Sequence, residues 1–165
     1  MGEIILLERL QGIYSGDPWY GPNICESIEA VEETAATWRV PLMRHNIAEL
    51  VRHMANWQLF AARKLQGDQK YEVRLNTGSD WSQIDALNKN EWIDLKQELL
   101  VSQSLMLQSL QMKSSQSLDD QVPGHRISFS QMLMGIADHN IYHLGQINMI
   151  RSAFERLNLS QSQAV

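Results

Sequence analysis

The chain has 165 residues, a net charge of −5, 44% apolar residues, 9 glycines, 4 prolines and a single cysteine, Cys25. That is one domain's worth of sequence with enough apolar side chains for a core, which excludes a disordered, collagen-like or low-complexity chain, and one cysteine excludes an internal disulfide framework or a cysteine-rich metal site and suits a reducing compartment. The acidic balance argues against a nucleic-acid partner, the longest apolar run, Ile4 to Leu7, is far too short to span a bilayer, and Met1-Gly2-Glu3 does not resemble a signal peptide, so a soluble cytoplasmic protein is expected.

The pattern along the chain is helical, with no convincing period-two run. The first helix is expected over Gly2 to Tyr14, with Ile4, Leu7, Leu10 and Tyr14 on its buried side, stopped by Ser15-Gly16-Asp17-Pro18. Residues Ile24 to Trp38 read as helix in pieces, ending before Pro41. A long helix then opens at Asn46, where Asn46 and Glu49 have capping-box spacing; Ile47, Leu50, Met54, Trp57, Ala61 and Leu65 form its stripe and Gly67 closes it. Residues 68 to 87 read as a connection with a short helical turn near Trp81. The next helix starts near Asn88, with Glu91 three residues on, carries Trp92, Leu95, Leu99, Met106 and Leu110 on one face, and ends among Ser114, Ser115 and Ser117. Pro123-Gly124 marks a turn, and the last helix opens at a second capping box, Ser128 and Gln131. Its seam is regular: Phe129, Met132, Ile136, His139, His143, Ile147, Ile150, Phe154 and Leu157 step by three or four residues. These elements predict an all-α fold, a four-helix bundle in up-down-up-down order, as one domain over residues 1–165 with a frayed tail at 158–165.

The seam of the last helix contains the residues that carry chemistry. His139 and His143 stand at i, i+4 in the middle of it, where a bundle core would hold Leu or Ile. Burying two imidazoles costs free energy unless each finds a partner. Two readings meet that need: hydrogen-bonded core histidines, or ligands of one cation. His53, mid-way along the helix that opens at Asn46 and on the edge of its inward face, would complete a three-nitrogen set from facing helices and leave positions open to water or substrate. His45 and His125 read as loop or surface histidines, and Cys25 as a small buried hydrophobe. No nucleophile elbow, phosphate-binding glycine loop or Glu-x-x-His pair occurs. Each histidine's second ring nitrogen needs an acceptor, and Glu49, Asn56, Asn140 and Gln146 lie near the three in helical spacing; Gln146, three residues beyond His143, reads either as a polar pocket residue or as a bundle-interface or solvent-facing glutamine. Asp138 and Tyr142 point off the histidine face.

The string Asp138-His139-Asn140-Ile141-Tyr142-His143-Leu144-Gly145-Gln146-Ile147 and the string His45-Asn46-Ile47-Ala48-Glu49-Leu50-Val51-Arg52-His53-Met54-Ala55-Asn56-Trp57 resemble the two hallmarks of the DinB/YfiT-like superfamily of metalloenzymes. The loops Gly16-Asp17-Pro18-Trp19-Tyr20-Gly21-Pro22 and Val122-Pro123-Gly124 are similar to members of that family as well. The resemblance implies a four-helix bundle with a divalent metal ion, nickel, zinc, iron or manganese, held by His53, His139 and His143. It further implies a small-molecule substrate, with water or a low-molecular-weight thiol activated for hydrolysis or S-transfer; the short apolar runs and acidic charge agree with no membrane or nucleic-acid role. No acid or base outside the metal ligands is assigned. The competing expectations are a bundle that binds a metal or apolar ligand without chemistry, and a structural bundle that acts by forming a homodimer.

Overall fold

The computed structural model describes residues 2–41 and 43–162. Four long helices, α1 (Gly2–Ser15), α4 (Ile47–Leu65), α5 (Lys89–Gln111) and α6 (Phe129–Ser162), carry most of the chain. Two short helices, α2 (Ile24–Glu29) and α3 (Glu33–Thr37), lie between α1 and α4, and a 3-10 turn, Ser115–Asp119, follows α5. Among the described residues no strand forms; Gln121 and Ser128 make an isolated antiparallel bridge. The fold is all-α.

The helix starts follow from local chemistry. Asn46 accepts from the Glu49 backbone N–H at 2.9 Å, and the Glu49 carboxylate accepts from the Asn46 N–H. Asn88 with Glu91 and Ser128 with Gln131 make the same reciprocal pair, so each satisfies two N–H groups that a helix start leaves open. Asn23 with Glu26 adds another such box at α2. Gly67 takes φ 88° just past α4, a left-handed backbone that glycine adopts without a Cβ penalty.

α4 packs against α5 and α6, and α1 packs against the same two helices. The stripes close one core: Ile47, Leu50, Met54, Ala61 and Leu65 of α4, Trp92, Leu95, Leu99, Met106 and Leu110 of α5, and Phe129, Met132, Ile136, Ile147 and Ile150 of α6 are all buried. Trp92 also donates its indole N–H to the Val31 carbonyl at 2.6 Å, tying α5 to the α2–α3 connection.

Several expectations differ from the structure. On α1 the buried residues are Leu6, Leu10, Ile13 and Tyr14, while Ile4 is 59% exposed. The apolar run Ile4 to Leu7 supports more than one helical register, and contact with α5 and α6 selects the one that buries Leu6. The short turn expected near Trp81 is present: the Thr77 carbonyl accepts from both the Asp80 and Trp81 N–H groups, closing a single turn that does not extend into a helix. α5 stops at Gln111, and the serine-rich segment after it forms the 3-10 turn. α6 continues through 158–162, positions expected to fray, and 163–165 lie outside the described residues. Its seam leaves the core before it ends: Phe154 meets Trp38 edge-on at 5.5 Å, and Leu157 is exposed. Among the described residues no helix is long and apolar enough to cross a membrane.

Candidate metal centre

α4 brings His53, and α6 brings His139 and His143, to the place where the two helices face each other. Helical spacing stacks His139 and His143 on one side of α6, with ring centroids 4.4 Å apart. The Nε2 of His53 lies 2.9 Å from the Nε2 of His139, and the Nε2 of His143 lies 3.1 Å from that same atom. One ligand atom from each of the three falls within 4.8 Å of the others. His53 and His143 are buried and His139 is half-buried.

The second nitrogens of two rings have partners that only accept. His53 Nδ1 is 2.9 Å from the Asp80 carbonyl oxygen and 3.1 Å from its carboxylate. His143 Nδ1 is 2.7 Å from the amide oxygen of Gln146. Both Nδ1 atoms therefore carry the proton, and both Nε2 atoms present lone pairs toward His139. The Nε2 of His139 can offer at most one proton to two acceptors. A cation among the three satisfies every lone pair at once, so the donor set fits a divalent transition metal of the kind imidazole nitrogens bind. Nδ1 of His139 is buried without a well-formed hydrogen bond, with the Asn140 amide beside it.

Electrostatics keep these imidazoles neutral. Burial pushes His139 down to about 3, helped by the neighbouring His143 and His53. Burial likewise pushes His143 down to about 4 against the opposing hydrogen bond of Gln146. For His53 burial again lowers the value and Asp80 resists it. Neutral imidazole is the form that ligates a metal.

Asp80 is itself buried and locked. Its carboxylate accepts from Trp57 Nε1 at 3.0 Å and from the Asn76 backbone N–H at 2.8 Å. Asn76 takes φ 59°, a left-handed turn that asparagine tolerates better than most residues. Next along the loop, Trp81 lies face to face between two imidazoles, 3.7 Å from His53 and 3.6 Å from His45. His45 in turn contacts Glu49, whose carboxylate also binds Arg39 at 2.5 Å and accepts from the Ile84 N–H at 3.0 Å. The 68–87 connection is thus held over the histidine cluster by aromatic stacking at one point and by a buried carboxylate at another.

The structure brings together His53, His139 and His143, as the spacing suggested, and places Gln146 on His143. Asn56 holds the loop instead, donating to the Ser79 carbonyl at 3.0 Å, and Glu49 serves the His45 side of the stack rather than a clustered histidine. Asp138 is exposed and pairs with Arg9 at 2.7 Å, and Tyr142 is exposed. Asp80 and Trp81 are the contributions that sequence reasoning missed. The only local signal for them was a polar turn followed by an aromatic residue, Gly78-Ser79-Asp80-Trp81, and which side chain that turn buries depends on how the loop lies.

Comparison with known proteins gives one result. No curated protein and no solved structure matches the chain. The family model described as the DinB superfamily matches residues 24–147. That span runs from α2 through the middle of α6 and includes all three clustered histidines with their loop. The chain belongs to the DinB superfamily.

Proposed function

We propose that this protein is a divalent-metal-dependent enzyme acting on a small molecule, with His53, His139 and His143 as the metal ligands and the four long helices arranged up-down-up-down around them. The observation that carries this reading is the convergence of three imidazole Nε2 atoms, two with their protons fixed on Nδ1 by Asp80 and Gln146. Nickel, zinc, iron and manganese are all consistent with an all-imidazole set. Such an ion, when bound, supplies the Lewis acidity that makes a water or a low-molecular-weight thiol nucleophilic near neutral pH. The chain's own residues set the conditions. Three neutral ligands leave the positive charge of the site uncompensated in its first sphere. Asp80 and Gln146 hold two rings in one tautomer and orientation. Trp81 covers the face of His53 and keeps water from it. Hydrolysis or S-transfer is the reaction class this arrangement suits.

Elemental analysis of the purified, untagged protein tests the reading, with His53→Ala, His139→Ala and His143→Ala beside it. The expected result is one metal ion per chain in the parent and loss in each variant. A parent that neither carries metal nor takes it up from a panel of divalent ions overturns the reading in favour of a structural bundle.

A further inference from the structure

A cleft of about 440 Å³ opens beside the histidine cluster. Trp57 and Phe60 of α4, Val73 of the following loop, and Met132 and Ile136 of α6 line it, and His139 lines it too. The size and apolar character are those of small-molecule sites. Trp57 and Phe60 stand edge to face, 5.4 Å apart at 72°, which offers an incoming ring both an aromatic edge and an aromatic face. Met132 adds an adaptable wall.

Two further features set the rim. Gly135 lines the cleft in mid-helix, where a Cβ would meet nothing within 4 Å. Glycine disfavours a helix interior more than any residue but proline, and no close contact here requires it; without a side chain at this position the mouth stays open. His125 lines the same rim, edge-on to Phe60 at 5.4 Å. Its Nε2 is 3.3 Å from Glu72, and Glu72 is held at 2.7 Å by Lys64, whose side chain is fully buried and also donates to the Gln69 carbonyl at 3.1 Å. A buried lysine is costly unless paired. Here the lysine is paired and holds the Glu72 carboxylate that stands against His125.

We propose that this cleft takes a flat aromatic group of the substrate and that His125 hydrogen-bonds a polar substituent on it. The proposal rests on the metal-site reading for the identity of the reacting end, which the shared residue His139 would place next to the ring. Gly135 and His125 then determine specificity, and Glu72 and Lys64 are positioning residues.

The test uses the full-length zinc-loaded protein, labelled at Ile and Met methyl groups, titrated with 2-naphthol. Saturable shifts at Ile136 and Met132, with Overhauser contacts from the naphthol protons to those methyls and none at Ile47 or Met106, are expected. Gly135→Leu should weaken binding by about tenfold or more, and Gly145→Leu, equally unhindered but away from the cleft, should not. His125→Ala should weaken it several-fold, with partial recovery in His125→Gln. Absence of the Ile136 and Met132 shifts, or unchanged affinity in Gly135→Leu, overturns the proposal; the Overhauser contacts in the parent decide it even if that variant folds poorly. Metal content measured on the same samples separates the two readings. Metal without naphthol binding sinks the cleft alone, and naphthol binding in a chain that holds no metal sinks the metal reading and leaves the cleft standing.

Discussion

Asp80 does for His53 what Gln146 does for His143, but it also ties down its own loop. Its carboxylate holds a histidine N–H, an indole N–H and a backbone N–H together. Partners of this kind set ring orientation and ligand basicity, and their loss lowers metal affinity by about 10–100-fold. Asp80→Ala keeps the backbone carbonyl contact to His53 Nδ1 but frees the loop from Trp57 and Asn76, so a loss at the lower end of that range, about tenfold, is expected, measured by competition with a chromophoric chelator, whereas Asp80→Asn, which keeps an acceptor oxygen, should lose less. Equal affinity in Asp80→Ala and the parent would show that His53 does not depend on this contact. The three histidines were legible because they occupy the buried periodicity of two long helices, where an imidazole stands out against Leu and Ile. Asp80 and His125 were not, because a loop side chain has no periodicity from which its direction can be read.

α4 begins with a carboxylate that serves more than its cap. Glu49 is 3% exposed, accepts from the Asn46 and Ile84 backbone N–H groups, and faces Arg39 and His45. Burial acts to raise its pKa, but Arg39, the Ile84 N–H and His45 outweigh it, and the value lies below that of a free glutamate. A group whose pKa falls on folding contributes stability above its unfolded value, about 4.3 for Glu, and loses that contribution as pH drops through the lower folded value. Glu49→Gln should therefore destabilise the protein at neutral pH, by about 1–3 kcal/mol for the partners left without a charge, and should flatten the acid side of the stability profile. Denaturant titrations of both proteins from neutral to acid pH check the sign; a constant difference at every pH would refute the ionic role. The capping boxes at Asn46, Asn88 and Ser128 were readable because they rest on side chains three residues apart. The tie from Glu49 to Ile84 spans 35 positions and has no local signature.

Across the whole molecule, the histidine cluster joins α4 to α6, while the core beneath it is continuous from α1 to α6. A metal that binds only the folded chain adds stability by mass action, about 2.7 kcal/mol at a free concentration one hundred times its Kd. Chelation should lower the thermal midpoint without loss of helicity below the transition, and the triple variant of His53, His139 and His143 to Ala should show no response to chelator. The core should respond differently. Leu99, fully buried in α5, is expected to cost about 2–5 kcal/mol when replaced by Ala, with metal content per folded chain unchanged. A chelator effect on the parent that survives in the triple variant would locate the metal elsewhere.

Helix positions, their caps, most core stripes and the three histidines followed from the order of residues, because hydrophobic periodicity and capping act over three to four positions and translate directly into a face. The register of α1 did not, since Ile4 to Leu7 can bury more than one set of side chains and packing against α5 and α6 chooses among them. The course of the 68–87 connection did not either. Long-range contacts settle it: Trp81 between His45 and His53, Asp80 on His53, and Glu49 on Ile84. These contacts join residues far apart in the chain, so their geometry exists only once the helices have assembled, and with it come the orientation of the histidines and the cleft beside them.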